Sequence, residues 1–128
     1  MKTVAKPVAK TLEHNAVDYF KAKLQFENTP HTLKVQLEKG EVVLLDVRDN
    51  DSFVKEHIPG AVNIPMTELV SRLKELPKNK TIVTYCWNIT CAMAPKAALQ
   101  LAEKGFRVQE LVGGIAEWKA KFPVEGKK

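Results

Sequence analysis

Cysteine is scarce in this chain, with two among 128 residues. Two thiols cannot build the disulfide framework that staples a small secreted domain. Histidine is nearly as rare, and His14, His31 and His57 are scattered without ligand spacing, so the sequence supplies no metal site. No apolar run approaches the roughly 20 residues that cross a bilayer; the longest is Val42-Val43-Leu44-Leu45, which Asp46 interrupts. Nothing apolar follows Met1 to Pro7 that could serve as the core of a secretory signal. The expectation is a cytoplasmic protein without a membrane partner, and no residue pattern calls for a cofactor.

One-sided charge is also missing once its position is considered. The formal net charge is +5, but residues 1–10 hold three lysines and residues 119–128 hold four against Glu125, which leaves 13 basic and 14 acidic residues in between. The body is near neutral, so the excess reads as solvated ends and not as a nucleic-acid surface.

What remains is an ordinary globular composition, 45% hydrophobic and 27% charged, long enough for one domain. Residues 1–11 lack apolar period and read as a flexible lead. From Glu13 to Leu24, Val17, Phe20 and Leu24 recur at helical spacing, which predicts an amphipathic helix docked on the domain, and Phe26 opens an edge segment. Residues 12–27 form this N-terminal unit.

Thr29-Pro30 supplies a capping hydroxyl and a helix-starting proline, Leu33 and Leu37 a buried stripe, and Gly40 a stop, predicting a helix over 30–39. Glu41 to Arg48 is a continuous apolar run, the pattern of a strand buried on both faces of a parallel sheet. Asp46 and Arg48 lie two apart near its end and share a face, where they support the next loop by hydrogen bonding or pairing. His57 precedes the turn Ile58-Pro59-Gly60, and Ala61 to Ile64 fits a short strand. Thr67 is placed to cap a helix carrying Leu69, Leu73 and Leu76, ended by Pro77.

Thr81 to Tyr85 is a β-branched strand that ends in Cys86. A short loop, Trp87-Asn88-Ile89-Thr90, reaches Cys91, and Ala94, Ala97, Ala98, Leu101 and Ala102 then fall at helical spacing with a start near Cys91 or Ala92. A strand, tight loop and helix in that order suit an activated thiolate, because loop N–H groups and a helix N-terminus lower a thiol's pKa. Cys86 is the candidate nucleophile. Gly105, a strand over 107–112 and Gly113-Gly114 before Ile115 and Trp118 complete an alternating α/β pattern with a mostly parallel sheet.

The ordered set Asp46-Val47-Arg48, Phe53, His57-Ile58-Pro59-Gly60-Ala61-Val62-Asn63-Ile64-Pro65, Tyr85-Cys86, Gly105-Phe106 and Gly113-Gly114-Ile115 with Trp118 resembles the rhodanese-like domain over residues 28–123. The resemblance implies an α/β fold with a five-stranded, mainly parallel sheet and helices on both faces; the N-terminal helix read from periodicity is extra to it, and the lysines over 124–128 make a basic tail. It implies a sulfurtransferase whose cysteine, Cys86, takes a sulfane sulfur as a persulfide and passes it to a thiol. The partners would be a small-molecule or protein persulfide donor and a thiol acceptor.

The loop departs from that pattern. Where active members commonly carry arginine, glycine and serine, this chain has Cys91, Ile89 and Ala92. Without a guanidinium the loop lacks its bidentate partner for an oxyanion, so transfer from thiosulfate is expected to be weak. The resulting Cys-x4-Cys loop is similar to that of a subgroup of small rhodanese-like proteins. Cys91 is then either a resolving thiol that attacks persulfidated Cys86 or an apolar filler at the helix start. Trp87 reads as a lid on the loop, and Asn88 and Thr90 as polar groups bonding its backbone. A non-catalytic protein-binding module and a thiol–disulfide redox protein using Cys86 and Cys91 are the alternatives.

Overall fold

The computed structural model describes residues 15–127. The lead predicted over 1–11, and the first turn of the helix predicted from Glu13, lie outside them. Helix α1 covers 15–26, followed by β1 (Glu27–Asn28), α2 (Pro30–Glu38), β2 (Val42–Asp46), α3 (Asn50–Lys55) and β3 (Val62–Asn63). Two 3₁₀ segments, Met66–Glu68 and Val70–Glu75, lead to β4 (Thr81–Tyr85), α4 (Met93–Glu103), β5 (Val108–Leu111) and α5 (Gly114–Lys119).

The five strands form one sheet in the order β1-β5-β4-β2-β3, and every ladder in it is parallel. The continuous apolar runs explain this arrangement, since β2 and β4 are central and covered on both sides. Alternation along the strands divides the core. Leu45, Ile82 and Cys86 pack with Leu69, Leu76, Ala94, Ala97 and Leu101 on one face. Leu44, Val83 and Tyr85 pack with Leu33, Ile115 and Trp118 on the other. The small residues of α4 let that helix approach the sheet, and the buried Thr84 hydroxyl donates to the Ala94 carbonyl at 2.8 Å.

Several local expectations need correction. Helix α1 forms, but its stripe is not docked: Val17, Phe20 and Leu24 are 51%, 57% and 84% exposed. Periodicity identifies an apolar face without identifying a cover for it. Thr29 stands at the N-cap of α2 with Pro30 at the first position, yet its hydroxyl caps no backbone N–H and instead meets the Thr32 hydroxyl at 3.3 Å. The stripe of Leu69, Leu73 and Leu76 is carried by 3₁₀ turns broken at Arg72, with Thr67 inside the first turn and Pro65 at its cap position. The tighter turns still bury Leu69 and Leu76.

The basic tail is exposed over residues 125–127 but is not a free end. Residues His57 and Glu125 form an antiparallel bridge, with N–H···O distances of 2.7 and 2.9 Å, and the Lys127 N–H donates to the Val54 carbonyl at 2.8 Å. Gly126 makes this possible, since any β-carbon there would strike the Lys55 carbonyl.

Candidate active site

Strand β4 delivers Cys86, which is 2% exposed, to the C-terminal edge of the sheet. Cys91, five residues on, is brought back to it: the two sulfurs are joined as a disulfide, with Cα atoms 6.6 Å apart. The curl between them is built by local hydrogen bonds. The Asn88 side chain accepts from the Thr90 N–H at 3.1 Å and from its hydroxyl at 2.8 Å, and the Cys91 N–H donates to the Asn88 carbonyl at 3.1 Å. These are the turn-forming habits of short polar side chains. The N–H groups of Trp87, Asn88 and Ile89 donate to no backbone carbonyl among the described residues. Helix α4 starts at Met93, a residue or two later than predicted, and Pro95 falls in its first turn, where a missing N–H costs nothing.

A second element pins the loop from behind. The Ile115 N–H donates to the Cys86 carbonyl and the Ala116 N–H to the Trp87 carbonyl, each at 3.0 Å. This contact requires glycine at 114, whose φ is +60° and where a β-carbon would lie 2.5 Å from the Cys86 carbonyl oxygen. The sequence marks Gly113-Gly114 only as a turn; its work as the seat of the loop is legible once α5 is placed.

Asp46 and Arg48 form a fully buried ion pair. The Arg48 Nη2 donates to Asp46 Oδ2 at 2.7 Å and its Nε to Oδ1 at 3.0 Å, while Nη2 also reaches the Glu56 carbonyl at 2.6 Å. Burial works against the guanidinium charge, but the hydrogen bond and charge of Asp46 outweigh it and hold Arg48 above its ordinary pKa. The Trp87 ring covers this pair, with the guanidinium carbon 4.4 Å from its centroid. Arg48 Nη1 is buried with no hydrogen-bond partner. Tyr85 lies beneath; its hydroxyl accepts from the Ile58 N–H at 3.1 Å, and burial, then the Asp46 charge, pushes its pKa far up.

His57 stands apart from the sulfurs. Its ring stacks on Phe53 with centroids 4.0 Å apart, its Nδ1 is 2.8 Å from the Phe53 carbonyl, and its Nε2 is 3.3 Å from Glu125. It holds the loop before β3 and the C-terminal return together.

Cys86 and Cys91 line a cavity of about 160 Å³, walled by Asn88, Ile89, Pro95 and Gly114 and, unforeseen from sequence, by Glu27 and Glu110. These glutamates are paired across β1 and β5. Burial, then the charge of Glu27, raises the pKa of Glu110. No group of His, Cys, Asp and Glu able to hold a metal occurs among the described residues, and none of their helices is long and apolar enough to cross a membrane.

Residues 29–121 match the family model described as the rhodanese-like domain. The chain belongs to that family. Over 88 residues it is 35% identical to the thiosulfate sulfurtransferase GlpE of Coxiella burnetii, covering 68% of this chain and 80% of that protein. It is 45% identical over 89 residues to the HTH-type transcriptional regulator Rv0324 of Mycobacterium tuberculosis, where the match covers 69% of this chain but only 39% of the regulator. Among solved structures, the BH2092 protein of Bacillus halodurans superposes with a TM-score of 0.80 at 39% identity, covering 89% of this chain and 86% of that one. The family places the chain with sulfurtransferase relatives, and the observed sheet with its N-terminal helix is the fold that the resemblance implies.

Proposed function

We propose that this protein moves sulfane sulfur through a persulfide on Cys86 and that Cys91 resolves it. The Cys86 thiolate attacks the terminal sulfur of a donor R–S–SH. The donor S–S bond breaks, R–S⁻ leaves with the electron pair, and Cys86 carries the new sulfur. An acceptor thiolate then attacks that terminal sulfur, forming the acceptor persulfide and returning Cys86 as thiolate. With no acceptor in place, the Cys91 thiolate attacks the inner sulfur, Cys86 Sγ. The terminal sulfur leaves as hydrosulfide, and the Cys86–Cys91 disulfide that results is reopened by two equivalents of an external thiol.

The observation that carries this reading is the meeting of the two sulfurs in one small cavity. A cysteine serving only as filler at the helix start has no need to bond its partner. The three loop N–H groups without a backbone acceptor supply the dipoles that hold a persulfide anion in place of a guanidinium. The glutamate walls and the missing arginine together disfavour thiosulfate, whose two charges would find no counter-charge near the sulfurs.

Mass spectrometry of the reduced protein and of its two single-cysteine variants after exposure to glutathione persulfide tests the scheme. Cys91→Ser should keep an added sulfur, wild type should pass on to the Cys86–Cys91 disulfide, and Cys86→Ser should take up no sulfur. Uptake by Cys86→Ser alone would overturn the assignment.

A further inference from the structure

Alternation at the end of β4 sends Cys86 and Trp87 to opposite sides of the sheet. Cys86 packs toward α4, whereas Trp87 lies on Arg48 and borders a separate cleft of about 480 Å³, lined by Arg48, Ser52, Lys55, Glu56, Trp87 and Lys127. The two cavities differ in charge: the sulfur cavity has Glu27 and Glu110 in its wall, while the Trp87 cleft is basic. In the cleft the single carboxylate, Glu56, is already engaged by Lys119 at 2.9 Å. Neither Lys55 nor Lys127 has an ion-pair partner among the described residues. Arg48 has spent Nε and Nη2 on Asp46 and the Glu56 carbonyl, which leaves the buried Nη1 with two unused N–H donors.

A buried charged donor without an acceptor is unusual in a folded protein and points to a missing partner. That partner must accept hydrogen bonds and is favoured if negative, given the two ammonium groups at the rim. It must also use an aromatic wall and a volume several times that of an inorganic oxyanion, which would leave the Trp87 face bare. An organic acid fits both demands.

We infer that the cleft holds the carboxylate of a small organic acid against Arg48 Nη1, beneath the Trp87 ring and between Lys55 and Lys127. Trp87 is the gate. Its ring is 43% exposed, and swinging it off the guanidinium uncovers Nη1 to a carboxylate entering between Lys55 and Lys127. Tail docking by Gly126 is then part of the site, because the His57–Glu125 bridge places Lys127 at the rim.

The test separates binding from chemistry by using ligands that cannot react. The full-length chain is titrated with propionate, propionamide and sulfate while the Trp87 indole and Arg48 Nε signals are followed by NMR. Propionate should shift both saturably, propionamide should not, and reversing both rim charges in Lys55→Glu/Lys127→Glu should weaken propionate about tenfold, the scale of two surface charge contacts. Equal response to the acid and its amide, or unchanged affinity in the double variant, would overturn the site. Sulfate binding as tightly as propionate would overturn the organic assignment in favour of an inorganic oxyanion.

Discussion

The Ile115 N–H donates to the carbonyl of Cys86 at 3.0 Å, so the Cys86 peptide is held by the first turn of the last helix. Chemistry at the loop and packing at the far end of the chain are thereby one structure.

That coupling runs through Gly114. Gly114→Ala should lower stability by roughly 1–3 kcal/mol, since alanine must take a positive φ and its β-carbon must displace the backbone of residues 86–88. Urea denaturation measures the loss. The surviving folded fraction should also form less Cys86–Cys91 disulfide under mild oxidation, because the loop that joins them has been pushed from its seat.

The fate of the sulfur distinguishes the two cysteines. Reduced Cys91→Ser exposed to a persulfide donor should keep an adduct of about 32 Da, one sulfur atom, because nothing attacks the inner sulfur. Wild type without acceptor should release sulfide and lose 2 Da relative to the reduced chain, a figure that is roughly two hydrogens per disulfide formed. Sulfide electrodes and intact-mass spectra read the two results.

Glu110 offers a pH-dependent check. Its pKa is raised in the fold by burial and by Glu27, so the folded state binds the proton more tightly than the unfolded chain. Stability therefore falls as pH rises from the ordinary glutamate value of 4.5 through the raised one. Glu110→Gln should be more stable than wild type at neutral pH, and the gain should vanish in acid below that ordinary value. The same variant should react several-fold faster with thiosulfate, since one repelling charge at the sulfur cavity is gone. Thermal melts across pH and initial rates test both halves.

Removing Asp46 should be costly. Asp46→Ala leaves the Arg48 guanidinium buried and held only by the Glu56 carbonyl, a loss of about 3–5 kcal/mol for a broken buried pair. Arg48→Met in the same background should recover much of it, which denaturant midpoints would show.

Substitutions on α1 should be nearly silent. Phe20→Ser and Leu24→Gln alter side chains that the fold leaves exposed, and each should move the denaturation free energy by less than about 0.5 kcal/mol.

Much of this architecture was legible because it rests on local rules. The apolar run before Asp46 could only be a central strand, Pro30 and Gly40 bracketed α2, and the strand–loop–helix around Cys86 announced its own geometry. The misses share one cause, which is that local pattern does not encode what lies opposite. The stripe of α1 does not reveal whether a surface covers it. The lysine-rich tail looks free until His57 is found paired with Glu125. Glu27 and Glu110 are 83 positions apart, and only the β1–β5 pairing sets them at the same cavity. Of the site residues, Cys86, Cys91, Trp87, Asn88, Ile89 and Thr90 fall on the loop as read, Asp46 and Arg48 brace it, and His57 serves a neighbouring turn.

The strand order carries a last consequence. From β2 the chain departs to one side of the sheet, toward β3, and from β4 it departs to the other, toward β5, so the two central strands open a natural gap between their ends. Trp87, Asn88, Ile89 and Thr90 sit at that gap and are exposed, while the strands behind them are buried. Side chains at this rim can therefore vary without disturbing the interior.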